Sequence, residues 1–321
     1  MGLYRSMRAV TGASGSGAID WSAVAEATKA ATGPGSLDID DAEREGYATD
    51  VRDARDRVRD VSGIDFDLPE SVEIVNRHHW VDNNVETFER VMAPLEEHAG
   101  MFPSAARKIN SGTMTIALSF LARNVLGQYD PLLLAEGVGA DEHALYFVHP
   151  NIQRVADTLD ADNDRFRRWI AFHEVTHAAE FGAAPWLPDH LETRMEHAVD
   201  RLAEGDVDRE TLGELDTTMT AVEGYAELLM DRAFDDEYED LRAELERRRQ
   251  GRGPIQTLIR RVLGLSMKRR QYERGKDFFD AVADAQSIEF AGKVWEQPEN
   301  LPSDDEIETP GLWLQRMADQ G

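Results

Sequence analysis

The sequence predicts a mainly α fold with a small β-hairpin or short sheet. Three observations lead there. Apolar residues recur at helical spacing along most of the 321 residues. Only two short apolar runs, 132–134 and 144–148, sit among turn-forming residues (Gly137, Gly139 and Asp141), and these read as the hairpin. No internal repeat, Gly-rich phosphate loop or Gly-x-Ser-x-Gly elbow points to another architecture. The length suffices to bury a substantial core. Residues 36–321 read as one domain and 1–35 as a loosely packed N-terminal segment, Gly/Ala/Ser-rich over 11–18.

A short helix over 21–31 is ended by Gly33-Pro34-Gly35. Over 40–61, Tyr47, Val51, Ala54, Val58 and Val61 share a face opposite Asp and Arg residues, and Ser62-Gly63 closes the helix. Val85, Phe88, Val91 and Leu95 mark a helix over 81–98. His78 and His79 precede it, and adjacent side chains point apart, so this pair reads as structural. The stretch 105–127 is the least polar long segment and apolar on all sides, which predicts a helix buried in the middle of the domain. After the hairpin, 151–159 is a helix. Tyr146 or His149, at the end of the hairpin, is a candidate to face a cleft.

Residues 163–181 read as one helix, capped by Asp162 or Asn163 and ended by Gly182 and Pro185. Its inward stripe is predicted to hold Phe166, Trp169, Ile170, His173, His177 and Phe181. His173-Glu174-Val175-Thr176-His177 places two histidines a turn apart on one face, where both imidazoles can bind one metal ion. Glu174 can reach a water on that metal and act as general base. The pattern H-E-x-x-H is that of zinc hydrolases, chiefly metallopeptidases. A pair of satisfied core histidines is the competing reading, and the helix context favours the metal.

Such a site needs a third protein ligand and an open position for water. Glu223 is the best candidate. It sits on a helix over 211–234, at the edge of a stripe made by Met219, Val222, Ala226 and Met230. A carboxylate against an apolar face calls for a cation, whereas a solvated glutamate does not. Glu227, one turn on, is placed to accept the outer N–H of a ligating histidine, His173. Glu227 itself, and Glu192, Glu196, His190 and His197 near the intervening helix over 189–204, compete with Glu223 as ligand. Beyond 235–249, an acidic and basic run read as a solvated helical face, amphipathic helices follow over 255–265 and 268–285. Trp313 and Leu314 anchor a Pro-punctuated tail.

The chain has no cysteine, so histidine and carboxylate are the only strong metal ligands it offers. Its net charge of −27 argues against nucleic acid, whose phosphates it would repel. No run approaches the eighteen apolar residues of a membrane span, and 1–20 lack the apolar core of a signal peptide. A soluble cytoplasmic protein is expected. Only five of the 35 basic residues are lysine. An acidic, lysine-poor surface is similar to those of halophilic proteins, where high salt screens the self-repulsion.

Several stretches together resemble one family, the zincin-like metallopeptidases of type 2. They are Val125-Leu126-Gly127-Gln128-Tyr129-Asp130, Leu145-Tyr146-Phe147-Val148-His149-Pro150-Asn151-Ile152, the His173–His177 motif with Ala184-Pro185-Trp186-Leu187, and Val222-Glu223-Gly224. Gln271-Tyr272-Glu273-Arg274-Gly275 and Leu301-Pro302 with Glu306-Ile307 match more loosely. The resemblance runs from about residue 40 to the C-terminus. It implies a zincin fold and a hydrolase, without a substrate; the metal motif itself leads to zinc as cofactor and a peptide substrate, with a non-peptide amide or a non-proteolytic binding role as the alternatives. Glu223 as third ligand and Glu227 as the acid orienting the first histidine also resemble the gluzincin arrangement. One branch of the family is associated with biosynthesis of a deazaflavin coenzyme.

Overall fold

A computed structural model of the chain describes residues 18–69, 72–92, 103–130, 144–203, 209–234, 238, 241, 243 and 269–320. It is mainly α, with one three-stranded sheet. The order is α1 (Trp21–Thr32), α2 (Asp41–Ser62), β1 (Val72–Val75), α3 (Arg77–Val91), α4 (Pro103–Asn124), β2 (Gly127–Asp130), β3 (Ala144–Val148), α5 (His149–Leu159), α6 (Asn163–Ala183), α7 (Leu187–Ala203), α8 (Arg209–Ala233) and α9 (Arg269–Ala285). Short helical turns and a final helix, α10 (Pro310–Gln320), complete it.

The helices start where capping side chains sit. Asp40 accepts the N–H of Glu43 at the head of α2, and Asp162 accepts that of Arg165 at the head of α6. Asn76 accepts from both His78 and His79 and starts α3 at Arg77, four residues earlier than the apolar periodicity suggests. Gly63 ends α2 in the left-handed conformation, at φ +68.

The sheet order is β1-β3-β2. β1 runs parallel to β3, Val72 opposite Leu145, and β2 antiparallel to it, Gln128 opposite Tyr146. The strand over 144–148 forms as expected, but its antiparallel neighbour is Gly127–Asp130. Residues 132–134 lie outside the described residues, as do 255–265 and most of 235–249. Alternation along β3 separates two apolar clusters. Leu145 and Phe147 face the larger one, built from α2, α5, α6, α8, α9 and the C-terminal turns. Tyr146 and Val148 face a smaller one, with Trp21, Val24, Trp80, Val81, Leu118 and Ala122.

α1 buries Trp21, Val24 and Ala25 in that smaller cluster. Residues 1–17 lie outside the described residues. α4 is not central. Leu118 and Ala122 pack inward, while Ile109 and Ile116 are 69% and 73% exposed. A helix apolar on all sides covers only as many faces as it has neighbours, and α4 lies at the margin.

The tail is pinned by indoles. Trp313 is fully buried and donates to the Asn300 carbonyl at 2.8 Å, and Trp186 donates to that of Trp295 at 2.9 Å. Full burial of a large apolar side chain, as for Trp313, contributes on the order of 1.5–3 kcal/mol.

Candidate metal centre

α6 runs through the larger cluster. Phe166, Ile170, Ala171, Phe172, Val175, Ala178 and Ala179 are all buried, so its apolar surface is wider than the predicted stripe. His173, His177, Trp169 and Phe181 are only half-buried. The histidines therefore line the open side of the helix, which suits a centre that must admit water and substrate. The Trp169 indole lies parallel to the His173 ring, 5.9 Å between centroids at 6°, and limits its rotation.

The two Nε2 atoms of His173 and His177 are 3.3 Å apart. Ligands at about 2.05 Å on a tetrahedral ion are about 3.3 Å from each other, so this spacing suits two ligands of one metal ion. Glu223 comes from α8, 46 residues after His177, and is 4% exposed. Ligand atoms of His173, His177 and Glu223 all lie within 4.8 Å of one another. Three donors from two helices, with one side half-open, match the set of a catalytic zinc. Glu192, Glu196, His190 and His197 are not in this group.

A glycine contact seats Glu223. α8 and α9 cross at Gly224 and Gly275 so closely that a Cβ on Gly224 would lie 2.6 Å from the Gly275 carbonyl oxygen. Tyr225, the next residue, is fully buried against Phe279 and Trp295, fixing the rotation of α8 from the far side.

Glu174 is 7% exposed and points at β2, where its Oε2 accepts the N–H of Tyr129 at 3.1 Å. Gly127 makes room: any Cβ there would collide with the Glu174 carboxyl. Gln128 between them is clamped to α3, accepting from Trp80 Nε1 at 2.7 Å and donating to Asn84 at 2.8 Å. Burial raises the Glu174 pKa to about 7, with Glu223 adding to the rise and His177 and the Tyr129 amide opposing it. A carboxyl poised near neutrality can both take and return a proton.

Sequence reasoning missed Glu180. This residue has no exposed side-chain surface, and its Oε2 is 2.7 Å from His177 Nδ1. That contact holds His177 in the tautomer that leaves Nε2 free for a metal. The only local signal is a carboxylate one turn after the second histidine, inside the apolar run Ala178-Ala179-Glu180-Phe181. Burial raises the Glu180 pKa to about 7. For His177, burial alone would lower the pKa, but Glu180, Glu223 and Glu174 outweigh it and raise it to about 10. Three enclosed carboxylates around two imidazoles make a strongly cation-attracting pocket. Glu227 is half-buried, one turn beyond Glu223. Tyr146 packs in the smaller cluster and His149 bonds Tyr47 in the core at 3.0 Å, so neither fills the cleft-facing place considered for it.

The sequence profile of the zincin-like metallopeptidases matches residues 19–207 and 198–314. The chain belongs to that family. A solved structure described as "a putative hydrolase with a novel fold" from Chloroflexus aurantiacus is 31% identical, covers 99% of both chains and superposes with a TM-score of 0.72. No curated protein matches. The family and this neighbour support a hydrolase. Among the described residues no helix is long and apolar enough to cross a membrane.

Proposed function

We propose that this chain is a zinc-dependent hydrolase, most readily of a peptide bond. His173, His177 and Glu223 hold the zinc, Glu174 is the general base, and Glu180 orients His177. The observation that carries this reading is the convergence of the three ligand atoms within 4.8 Å, beside a Glu174 held by the Tyr129 amide. A zinc ion held there would lower the pKa of a bound water toward ~7 and polarise the scissile carbonyl. Glu174 takes a proton from the attacking water and delivers it to the leaving amine. Its anchorage on β2 keeps the carboxylate on one side of that exchange. Glu227, half-buried one turn beyond Glu223, is assigned the role of orienting His173. A structural zinc would have no use for a general base, so the pairing with Glu174 favours catalysis over a binding role.

The test has two arms. Elemental analysis of purified protein should find about one zinc per chain. A broad peptide-library digest, run at high salt to suit the acidic, lysine-poor surface, should then yield cleavage that a chelator stops. Zinc without cleavage of any peptide would move the substrate to a non-peptide amide; no zinc would remove the reading.

A further inference from the structure

Arginines in this acidic chain commonly meet carboxylates: Arg52 meets Glu45, Arg167 meets Asp50 and Arg274 meets Asp304. Arg77, Arg123 and Arg154 do not. Among the described residues their partners are neutral oxygens. Arg154 Nη2 donates to the Arg123 carbonyl at 2.7 Å, and Arg123 Nη2 donates to the Ala31 carbonyl. Arg77 donates through Nε to Asn151 Oδ1 at 2.7 Å and through Nη2 to the Pro150 carbonyl at 3.3 Å.

These bonds meet at one place. Ala31 lies at the end of α1 and Arg123 at the end of α4, Arg77 opens α3, and Pro150, Asn151 and Arg154 lie near the start of α5. The turn after α1 lies against them: the Arg77 N–H donates to the Pro34 carbonyl at 3.0 Å, and a Cβ on Gly35 would come within 3.1 Å of Arg77 Nη1. Arginines do cap the carbonyls at helix C-termini, which accounts for the bonds of Arg123 and Arg154. Among the described residues it occupies one of the five N–H donors of Arg123 and one of Arg154. It does not account for three like charges gathered in a chain with 62 acidic residues. Arg77 feels the crowding: burial, then Arg154 and Arg123, lower its pKa.

We propose that Arg77, Arg123 and Arg154 form a binding site for a phosphate group, separate from the metal centre. Arg123 reaches the end of α1, Arg77 lies against the turn that follows it, and Arg154 caps Arg123 beside them. Three such planar forks suit a tetrahedral dianion, whereas a carboxylate carries one charge and occupies one fork. Free phosphate and a phosphate ester share this chemistry.

Calorimetric titration of the full chain distinguishes them. In 1 M potassium chloride the screening length is about 3 Å, so the net charge no longer decides the result. Inorganic phosphate is expected to bind once per chain, and acetate not at all. Tighter binding of glycerol phosphate assigns the site to an ester; weaker binding assigns it to free phosphate. Arg123→Gln and Arg154→Gln, both at exposed positions, should each weaken binding about tenfold or more, the loss expected for a charge-assisted bond. Arg52→Gln, elsewhere on the surface, should change nothing. Phosphate indistinguishable from acetate, or both cluster variants binding like the native chain, would overturn the proposal.

Discussion

Around His177 the carboxylates of Glu174, Glu180 and Glu223 are almost wholly enclosed, whereas Arg123 and Arg154, beside half-buried Arg77, lie within reach of water. Each region gathers charge of one sign. Enclosed charges cannot rely on water, so burial lifts Glu174 and Glu180 toward neutrality and makes a cation the natural counterpart. Arg123 and Arg154 settle on carbonyls at helix ends, where backbone dipoles share the load, and burial lowers the pKa of Arg77 and Arg154 without closing them off from water. The same crowding is therefore a strong constraint in one place and a weak one in the other.

The sharpest way to break the comparison is to empty the buried pocket of its imidazoles. His173→Ala combined with His177→Ala should take zinc from about one per chain to none by elemental analysis. Full retention would mean the metal sits elsewhere. Next in size is Glu174→Gln, which should keep the metal and the fold but slow turnover of an identified substrate by roughly 10²–10⁴-fold; normal turnover would take the general-base role from Glu174. Glu180→Gln preserves an acceptor for His177 Nδ1 and removes only the charge. Chelator competition should show zinc affinity lower by about 10–100-fold, and an unchanged affinity would make Glu180 a packing group.

The smallest effect concerns pH in metal-stripped protein. Glu174 and Glu180 rise from 4.5 to about 7, so the folded state disfavours their ionisation and loses stability as they ionise. His177 rises from 6.5 to about 10, so its contribution is complete below 6.5 and lost as pH climbs toward 10. The glutamate loss falls between about pH 4.5 and 7, and the loss from His177 carries the same trend on from 6.5 to 10. His149 and His190, lowered by burial, act below that window. The melting temperature of stripped protein should fall from pH 7 to 9. Zinc displaces protons and binds better as pH rises, so the gap to loaded protein should widen. A constant gap would count against a proton-coupled pocket.

The histidine pair was legible in the sequence because an i, i+4 spacing on one capped helix is a purely local relation. The limits of α2 were legible for the same reason, since Asp40 and Gly63 act within a turn of themselves. Glu223 could be nominated from its apolar stripe, but its place beside the histidines depends on α8 packing against α6 and on the close crossing of Gly224 and Gly275. That sequence pair stood out as a motif without disclosing that two backbones touch. Glu180 was invisible for a different reason: an acid one turn after a histidine is ordinary until other helices close over it. The partner strands were misjudged because β1 is parallel to β3 and some seventy residues distant, where no turn signal links them. α4 was misplaced because its composition does not say how many of its faces have neighbours.

The Gly224–Gly275 crossing also sets an order of events. The two glycines are 51 residues apart, while His173 and His177 share a helix finished long before α9 leaves the ribosome. At about 5–20 residues per second, α8 waits seconds for the surface that seats Glu223. In the proposed centre the histidine pair is therefore available first, and a firmly seated Glu223 follows when α9 docks. A chain stopped at residue 268 should hold zinc no better than an isolated histidine pair, although every ligand is present in it.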